Sequence, residues 1–465
     1  LCIIMLHKKL TDLIKAISAR RTFVAGKFKQ TGVPIIDAFH GEMHAQMDTG
    51  VQQKLLAAIP QLISESADLS ESDGRLYHKS RPLILRQLAA QKLFSRLACA
   101  GIPVSADAVI VSPYSSLVML EAAIATIARP GGLILCPEGF YKSNGLHIEK
   151  YGLALCRFPA DLQRDGRINA TCLRAAIEQH QASLCGILLT LPGNPLVAEY
   201  TLTELEAIAR VLIEANVRVI IDATFDQIQP QHVPLAAIQL NLAGQQKRLY
   251  DQTVTISGIS KGHHASGPFK IGAATSGDSH WLQDMQAQLT ISFQRETTAL
   301  ARIVLEETTE NYLEQNRQVM IRRQQEAKCH MARINQKLGA GAVCCLGSAQ
   351  YGPFILLTLR SDILAQAGVT DGWQLADMLL AAVGIKSVAG PLMGLSLPAV
   401  RINIDAPRIT WQKDPALLSV LFERIEHLAE AMLQQRLTYQ KALTQLAIST
   451  TVSTTQFSGD SDGTC

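Results

Sequence analysis

The feature that most constrains this chain is a repeated switch between short apolar runs and helix-length amphipathic segments, from about residue 107 to residue 278. "DAVIVS" (107–112) reads as a strand, and "SLVMLEAAIATIA" as a helix closed by "RPGG". "LILCPEG" and "ALCRFPAD" read as strands. "CLRAAIEQH" is a helix, "LCGILLTLPGNP" a strand and turn, and "LTELEAIARVLIEAN" a helix leading into "VRVIIDAT". "TVTIS" and "IGAAT" complete the series. Strands apolar on both faces, joined through helices, predict a mainly parallel sheet covered on both sides.

The flanking segments differ. An amphipathic pattern, "LTDLIKAI", opens the chain and an extended piece, "TGVPIIDAFHGEM", follows. Residues 282–338 carry no Gly or Pro and read as one or two long helices. Beyond them, short strands ("PFILLTL", "AVRINI") mix with helices ("WQLADMLLAAVG", "LLSVLFERIEHLAEAMLQQRL"), which predicts a second, smaller α+β unit. The expected division is an arm at 1–45, a large α/β domain at 46–300, a small domain at 301–448 and a polar, disordered tail at 449–465. No internal repeat is visible.

Composition narrows the function. The chain has 465 residues, 48% hydrophobic and 18% charged, with a net charge of +3. No basic stripe with interleaved aromatics points to nucleic acid. No apolar run reaches the length of a membrane span. The opening "LCIIMLHKK" lacks the marks of a signal peptide. The ten cysteines are scattered without metal or disulfide spacing, so reduced thiols in the cytoplasm are expected.

In open parallel sheets, ligands bind beyond the carboxyl ends of the strands. Four such ends carry polar residues. "VIVSPYSS" places Ser112, Ser115 and Ser116 at a helix start, where they either cap the helix or cradle a phosphate. "LTLPGNP" puts Asn194 in a turn, which its Pro and Gly neighbours alone would explain. Asp222 ends "VIID", as a turn residue or as a partner for a protonated ring nitrogen. Lys261 follows "SGIS" between two apolar runs, either solvated or semi-buried and able to form a Schiff base. His263 and His264 are adjacent and diverge, with no third ligand at suitable spacing, so no metal is expected. "GISKG" lacks the leading glycine pattern of a phosphate-binding P-loop.

Taken in order, these segments resemble the pyridoxal-phosphate enzymes of the aspartate aminotransferase superfamily (fold type I, class I/II). "PGNP" (192–195) resembles the family's Pro-x-Asn-Pro, "DATF" (222–225) its Asp-x-x-Tyr, and "GISK" (258–261) its Ser-x-Ser-Lys. "GPFKIG" (267–272) resembles its Gly and basic residue before a strand, and Arg401 in "AVRINI" its late arginine. Upstream, "IIDAFHGEM" and Leu76, Tyr77, Leu85 and Arg86 are similar to two further family segments. The resemblance covers roughly residues 30–440. It implies a seven-stranded-type sheet sandwiched by helices, with a smaller α+β domain.

It also implies residue roles. Lys261 would carry pyridoxal 5'-phosphate, Asp222 would hold the ring nitrogen protonated, and Asn194 would donate to the phenolic oxygen. Phe140 would stack on the ring. Tyr114, Ser115, Ser260 and Lys270 would hold the phosphate, with the partner subunit's Tyr77 reaching over in a homodimer with shared active sites. Arg401 would grip the substrate α-carboxylate, beside Gly41 and Asn194. Three positions depart from the family pattern. Phe225 stands for the tyrosine, Lys270 for the arginine at a spacing one residue longer, and Gly258 for the first serine. The implied activity is transfer of an α-amino group from an amino acid to a 2-oxo acid. The alternative is a lyase, cyclase or replacement enzyme of the same fold. A cofactor-sensing transcriptional regulator is disfavoured, because only about thirty residues precede the fold. Arg295 is a further candidate for an acidic substrate, although a surface charge explains it as well.

Overall fold

The structure, a computed structural model, describes residues 2–67, 77–78, 82–230, 232–265, 267–347 and 350–446. The expected tail lies outside them. At its centre is a seven-stranded sheet: β1 (Val109–Pro113), β2 (Leu133–Pro137), β3 (Ala154–Phe158), β4 (Leu184–Thr190), β5 (Val219–Asp222), β6 (Thr253–Gly258) and β7 (Ile271–Ser276). Their spatial order is β1-β7-β6-β5-β4-β2-β3. All pairings are parallel except those of β7, which runs antiparallel to both β6 and β1. β1, β5, β6 and β7 are buried along their whole length, as their Val, Ile and Ala, interleaved only with small or hydroxyl residues until the site is reached, allow.

Helices cover both faces. The helix Leu202–Ala215 has a capping box of Thr201 with Glu204, and Asn216 closes it in the left-handed region. One apolar cluster under the sheet joins Val111, Leu189, Ile221 and Ala273 to Leu205 and Leu305; another, on the opposite face, joins Ile110, Leu188, Ile220 and Ile256 to Met119 and Trp281. A separate core gathers Val24, Ile36 and Ala38 with residues from Ala327 to Leu443. It surrounds a four-stranded antiparallel sheet made by β8 (Val343–Cys345), β9 (Phe354–Leu359), β10 (Val388–Ala389) and β11 (Ala399–Asn403), in the order β8-β9-β11-β10.

The charged stretch expected as one or two long helices is three: Ser279–Gln288, Arg295–Glu307 and Glu310–Leu338. The first break is the short strand Phe293–Gln294, paired with Tyr77–His78. The second is Thr309, whose hydroxyl caps the third helix by accepting from the backbone N–H of Tyr312 at 3.2 Å. Among the described residues, no helix is long and apolar enough to cross a membrane.

Candidate active site

The strand order explains why residues far apart in sequence meet. The neighbours β4, β5, β6, β7 and β1 all present the same edge of the sheet. At that edge lie Asn194 after β4, Asp222 at the end of β5, Lys261 after β6, Lys270 before β7, and Ser115 after β1. Register fixes the heights. Asp222 pairs with Thr190 on one side and Ile256 on the other, and Gly258 pairs with Gly272.

Asp222 is buried, with 7% exposure. Its Oδ1 accepts from the backbone N–H of Thr224 at 3.1 Å. Burial raises its pKa; the Thr224 hydrogen bonds and the charges of Lys261 and His147 oppose that rise. Burial likewise pushes Lys261 down to about 8, with Lys270 and Arg401 adding to the effect and Glu42 and Asp222 opposing it. Lys261 Nζ donates to the carbonyl oxygen of Gly41 at 2.6 Å and lies 5.5 Å from the centre of the Phe225 ring.

Arg401, on β11, is fully buried and reaches from the small sheet to the large one. One Nη donates to Asn194 Oδ1 at 2.9 Å and the other to the Phe39 carbonyl oxygen at 2.6 Å. Its guanidinium lies 4.2 Å from the centre of the Phe354 ring, and burial holds its pKa down at about 10. Phe354 in turn meets Phe225 edge-on, with ring centres 5.9 Å apart. The segment holding Phe39 and Gly41 is itself fixed: Asn403 Nδ2 donates to the carbonyls of His40 and Glu42. One wall therefore meets both Lys261 and Arg401 through backbone oxygens.

The helix after β1, Ser116–Ile127, starts against β7. Tyr114, at φ 80, donates its N–H to the Lys270 carbonyl at 2.9 Å. A Cβ on Gly272 would stand 2.4 Å from the Ser115 carbonyl oxygen and 2.6 Å from the Ser116 nitrogen, so glycine is what lets the helix start approach the strand. Ser115 occupies the cap position but its side chain makes no capping hydrogen bond. Of the two readings of this serine, its side chain does not act as the cap. Ser260 and Lys270 are half-buried at the same edge.

Other candidates sit differently. Phe140 belongs to the apolar cluster of Met119 and Ile148, lies against Gly394, and lines a cavity with Thr190 at the end of β4 and Gly193 and Pro195 of the turn after it. Its neighbour Tyr141 bears on the charge of Arg401. Tyr77 lies in a two-residue strand, but its side chain is outside the described residues. Tyr114 is 59% exposed. Arg295 is tied to Glu296 and to the carbonyl of Leu62. His263 and His264 are largely buried, and burial depresses their pKa to about 4 and about 3. Gly258 also has a structural reason. A Cβ there would stand 2.8 Å from the Ile271 carbonyl oxygen, closer than a serine tolerates.

A half-buried lysine, a buried carboxylate and a buried arginine, gathered where a seven-stranded sheet meets a smaller antiparallel one, belong to a fold seen in solved aspartate aminotransferases. The aspartate aminotransferase from Rhizobium meliloti superposes with a TM-score of 0.70 at 20% identity, over 90% of this chain and 96% of its own. That of Thermus thermophilus with maleate gives 0.68 at 17%, over 89% and 95%. The sequence pattern of the family "Aminotransferase class I and II" matches residues 45–411, and the chain belongs to that family. Among curated relatives, a probable N-succinyldiaminopimelate aminotransferase DapC of Mycobacterium tuberculosis is 30% identical over 161 residues, 33% of this chain and 37% of that protein's length. An aspartate aminotransferase of Bacillus sp. (strain YM-2) is 23% identical over 313 residues, 66% of this chain and 73% of its own length.

Proposed function

We propose that the protein is a pyridoxal-phosphate-dependent aminotransferase that moves an α-amino group from an amino acid to a 2-oxo acid. The observation that carries this reading is that Asp222 and Lys261 stand at the ends of the paired strands β5 and β6, while Arg401 reaches the same place from the small sheet and donates to Asn194 at 2.9 Å. The residues fit the cofactor. Asp222 is a buried carboxylate whose Oδ1 is met by a backbone N–H, as an ion pair with a ring nitrogen needs. The cradle at Gly272 and the uncommitted Ser115 side chain suit a phosphate, beside Lys270 and Ser260. When bound, pyridoxal phosphate supplies an electron sink for charge developing at the substrate Cα.

The rest is the work of this chain. Asp222 holds a proton at the ring nitrogen. Arg401, its guanidinium plane fixed by Asn194 and Phe354, takes the α-carboxylate in a planar fork. Lys261, held near pKa 8, has a neutral fraction at working pH and moves the proton at the substrate Cα. Phe225 and Phe354 present apolar surface beside it and keep water off that proton. Asn194 would serve the phenolic oxygen, and Phe140 would stack on the ring.

The same reading extends to a cytoplasmic homodimer with shared sites, completed by the partner subunit's Tyr77. The separate cores support a division into a large and a small domain, near the expected 46–300 and 301–448, although Ala301, Val304 and Leu305 still belong to the large core and the arm residues Val24, Ile36 and Ala38 to the small one.

The test is isotopic. Protein loaded with pyridoxal phosphate is given an amino acid carrying nitrogen-15 and a second, unlabelled 2-oxo acid. The label should appear in the amino acid made from that oxo acid. Label released as free ammonia would instead support elimination, the lyase alternative.

A further inference from the structure

On the face of the large sheet that packs against the helix Leu202–Ala215, β5 is apolar, with Val219 and Ile221, and Ala223 follows just beyond it. Its neighbour β6 breaks that pattern. Thr255, in register with Ile221, puts a hydroxyl on the same face. Thr255 is 5% exposed, and its Oγ1 has no hydrogen-bond partner among the described residues. Thr253, two positions earlier on the strand, differs: its Oγ1 donates to the Leu249 carbonyl at 2.8 Å. A buried hydroxyl without a partner is costly, so the position of Thr255 calls for a partner from outside the chain.

Thr255 lines a cavity of about 50 Å³. Ile221 joins it from the sheet, Leu205 from the helix, and Leu93 and Leu97 from the opposite wall. That wall is shaped by a π-turn. The helix Leu83–Leu88 widens over Ala89–Leu93, where the Phe94 N–H meets the Ala89 carbonyl at 3.1 Å, before Ser95–Cys99. Such insertions often stand at functional sites. The cavity reaches the surface beside Val233, which is 42% exposed. Here the charges offset each other. Asp226 meets Arg96 Nε at 3.4 Å and His232 Nε2 at 3.0 Å, and Arg96 also donates to the Pro230 carbonyl at 3.0 Å. That leaves no spare charge to recruit an ion. The volume has room for about four or five non-hydrogen atoms.

We propose that this cavity is a second ligand site, apart from the Lys261 edge, for a small uncharged molecule with an aliphatic body and one hydroxyl. Thr255 exchanges a hydrogen bond with that hydroxyl, and the apolar walls take the body. The cavity touches the active edge from behind. Ile221 and Ala223 flank Asp222, and Leu191 and Pro192, also in the lining, lead to Asn194. A bound molecule therefore bears on the two backbone segments that place Asp222 and Asn194, without resembling anything that binds at the edge itself. Nothing in this site depends on the reaction carried at the Lys261 edge.

The experiment measures binding to the full chain by methyl NMR at Leu97 and Leu235, both in the lining. Three probes share one skeleton: 2-methylpropan-1-ol, 2-methylpropanoate and 2-methylpropylammonium. The alcohol should shift both sets of methyl resonances saturably and show nuclear Overhauser contacts to them. The two ions should bind at least about tenfold more weakly, because an unpaired charge is costlier to bury than a hydroxyl. Thr255→Val keeps the shape and removes the hydrogen bond, so it should weaken the alcohol by about three- to tenfold. Ala236→Leu fills the cavity from a lining position and should abolish binding; Thr255→Val remains informative even if that variant folds poorly. An alcohol that gives only linear, unsaturable shifts leaves the cavity to water and overturns the proposal. Equal binding of the ions, or an affinity unchanged in Thr255→Val, overturns it as well.

Discussion

Arg401 and Asn194 lie 207 positions apart and meet at 2.9 Å, one on a strand of the small sheet, the other on the turn after β4. The contact is buried on both sides, at 0% and 4% exposure. It ties the residue assigned to the substrate carboxylate to the residue assigned to the cofactor, and it sets the plane of the guanidinium before substrate arrives. A fork fixed in advance loses little entropy on binding.

Arg401→Lys should therefore raise KM for amino acids by about ten- to a hundredfold, the loss of one to two charge-assisted hydrogen bonds. Lysine has no planar fork and leaves Asn194 Oδ1 or the Phe39 oxygen short of a donor. Pyridoxal-phosphate affinity should change much less. Steady-state kinetics with a cofactor titration would check this, and equal losses in both would place Arg401 in general packing.

Asp222→Asn should keep the fold, because the amide is nearly isosteric, and should lower kcat by about a hundredfold or more, the scale for a charge partner of the reacting group. Burial already works against its charge, so an uncharged replacement costs little stability. The check is kcat beside a thermal melt. Near-normal turnover would remove the ring-nitrogen role.

Gly272→Ala should weaken cofactor binding and lower stability by about 1–3 kcal/mol, the usual cost of overpacking. The added methyl would have to displace the Ser115 backbone from 2.4 Å. Gly258→Ser, which restores the residue the family resemblance calls for, should also destabilise, because of the Ile271 oxygen at 2.8 Å. Melting temperatures and cofactor titration test both.

The large sheet was legible because its strands are apolar on both faces and punctuated by turns. Asn194, Asp222 and Lys261 stood out because each follows such a run directly, where a parallel sheet exposes its edge. Arg401 could be named, but not its contact with Asn194, since no local pattern links residues from two sheets. The three-helix division of 279–338 turned on two breaks inside a stretch without Gly or Pro: the short strand Phe293–Gln294, set by a distant partner strand, and the Thr309 cap.

The depressed pKa of Lys261 predicts a pH effect on stability. The folded chain releases this proton near pH 8, while the unfolded chain keeps it to the ordinary 10.5. Between those values the unfolded state binds more protons, so this group's contribution to stability rises with pH across that window. Lys261→Met, stripped of cofactor, should melt higher than wild type at pH 7, and the gap should shrink as pH approaches 10.5. A gap constant with pH would show that Lys261 is not buried as described.

The central claim is that Lys261 is the residue that holds pyridoxal phosphate. Borohydride reduction of the loaded protein, followed by digestion and mass spectrometry, tests it most directly. The account predicts one phosphopyridoxyl group on the peptide containing Lys261, and its absence, together with loss of amino transfer, in Lys261→Ala. A reduced label on another lysine, or a Lys261→Ala protein that still incorporates the label and turns over, would contradict it.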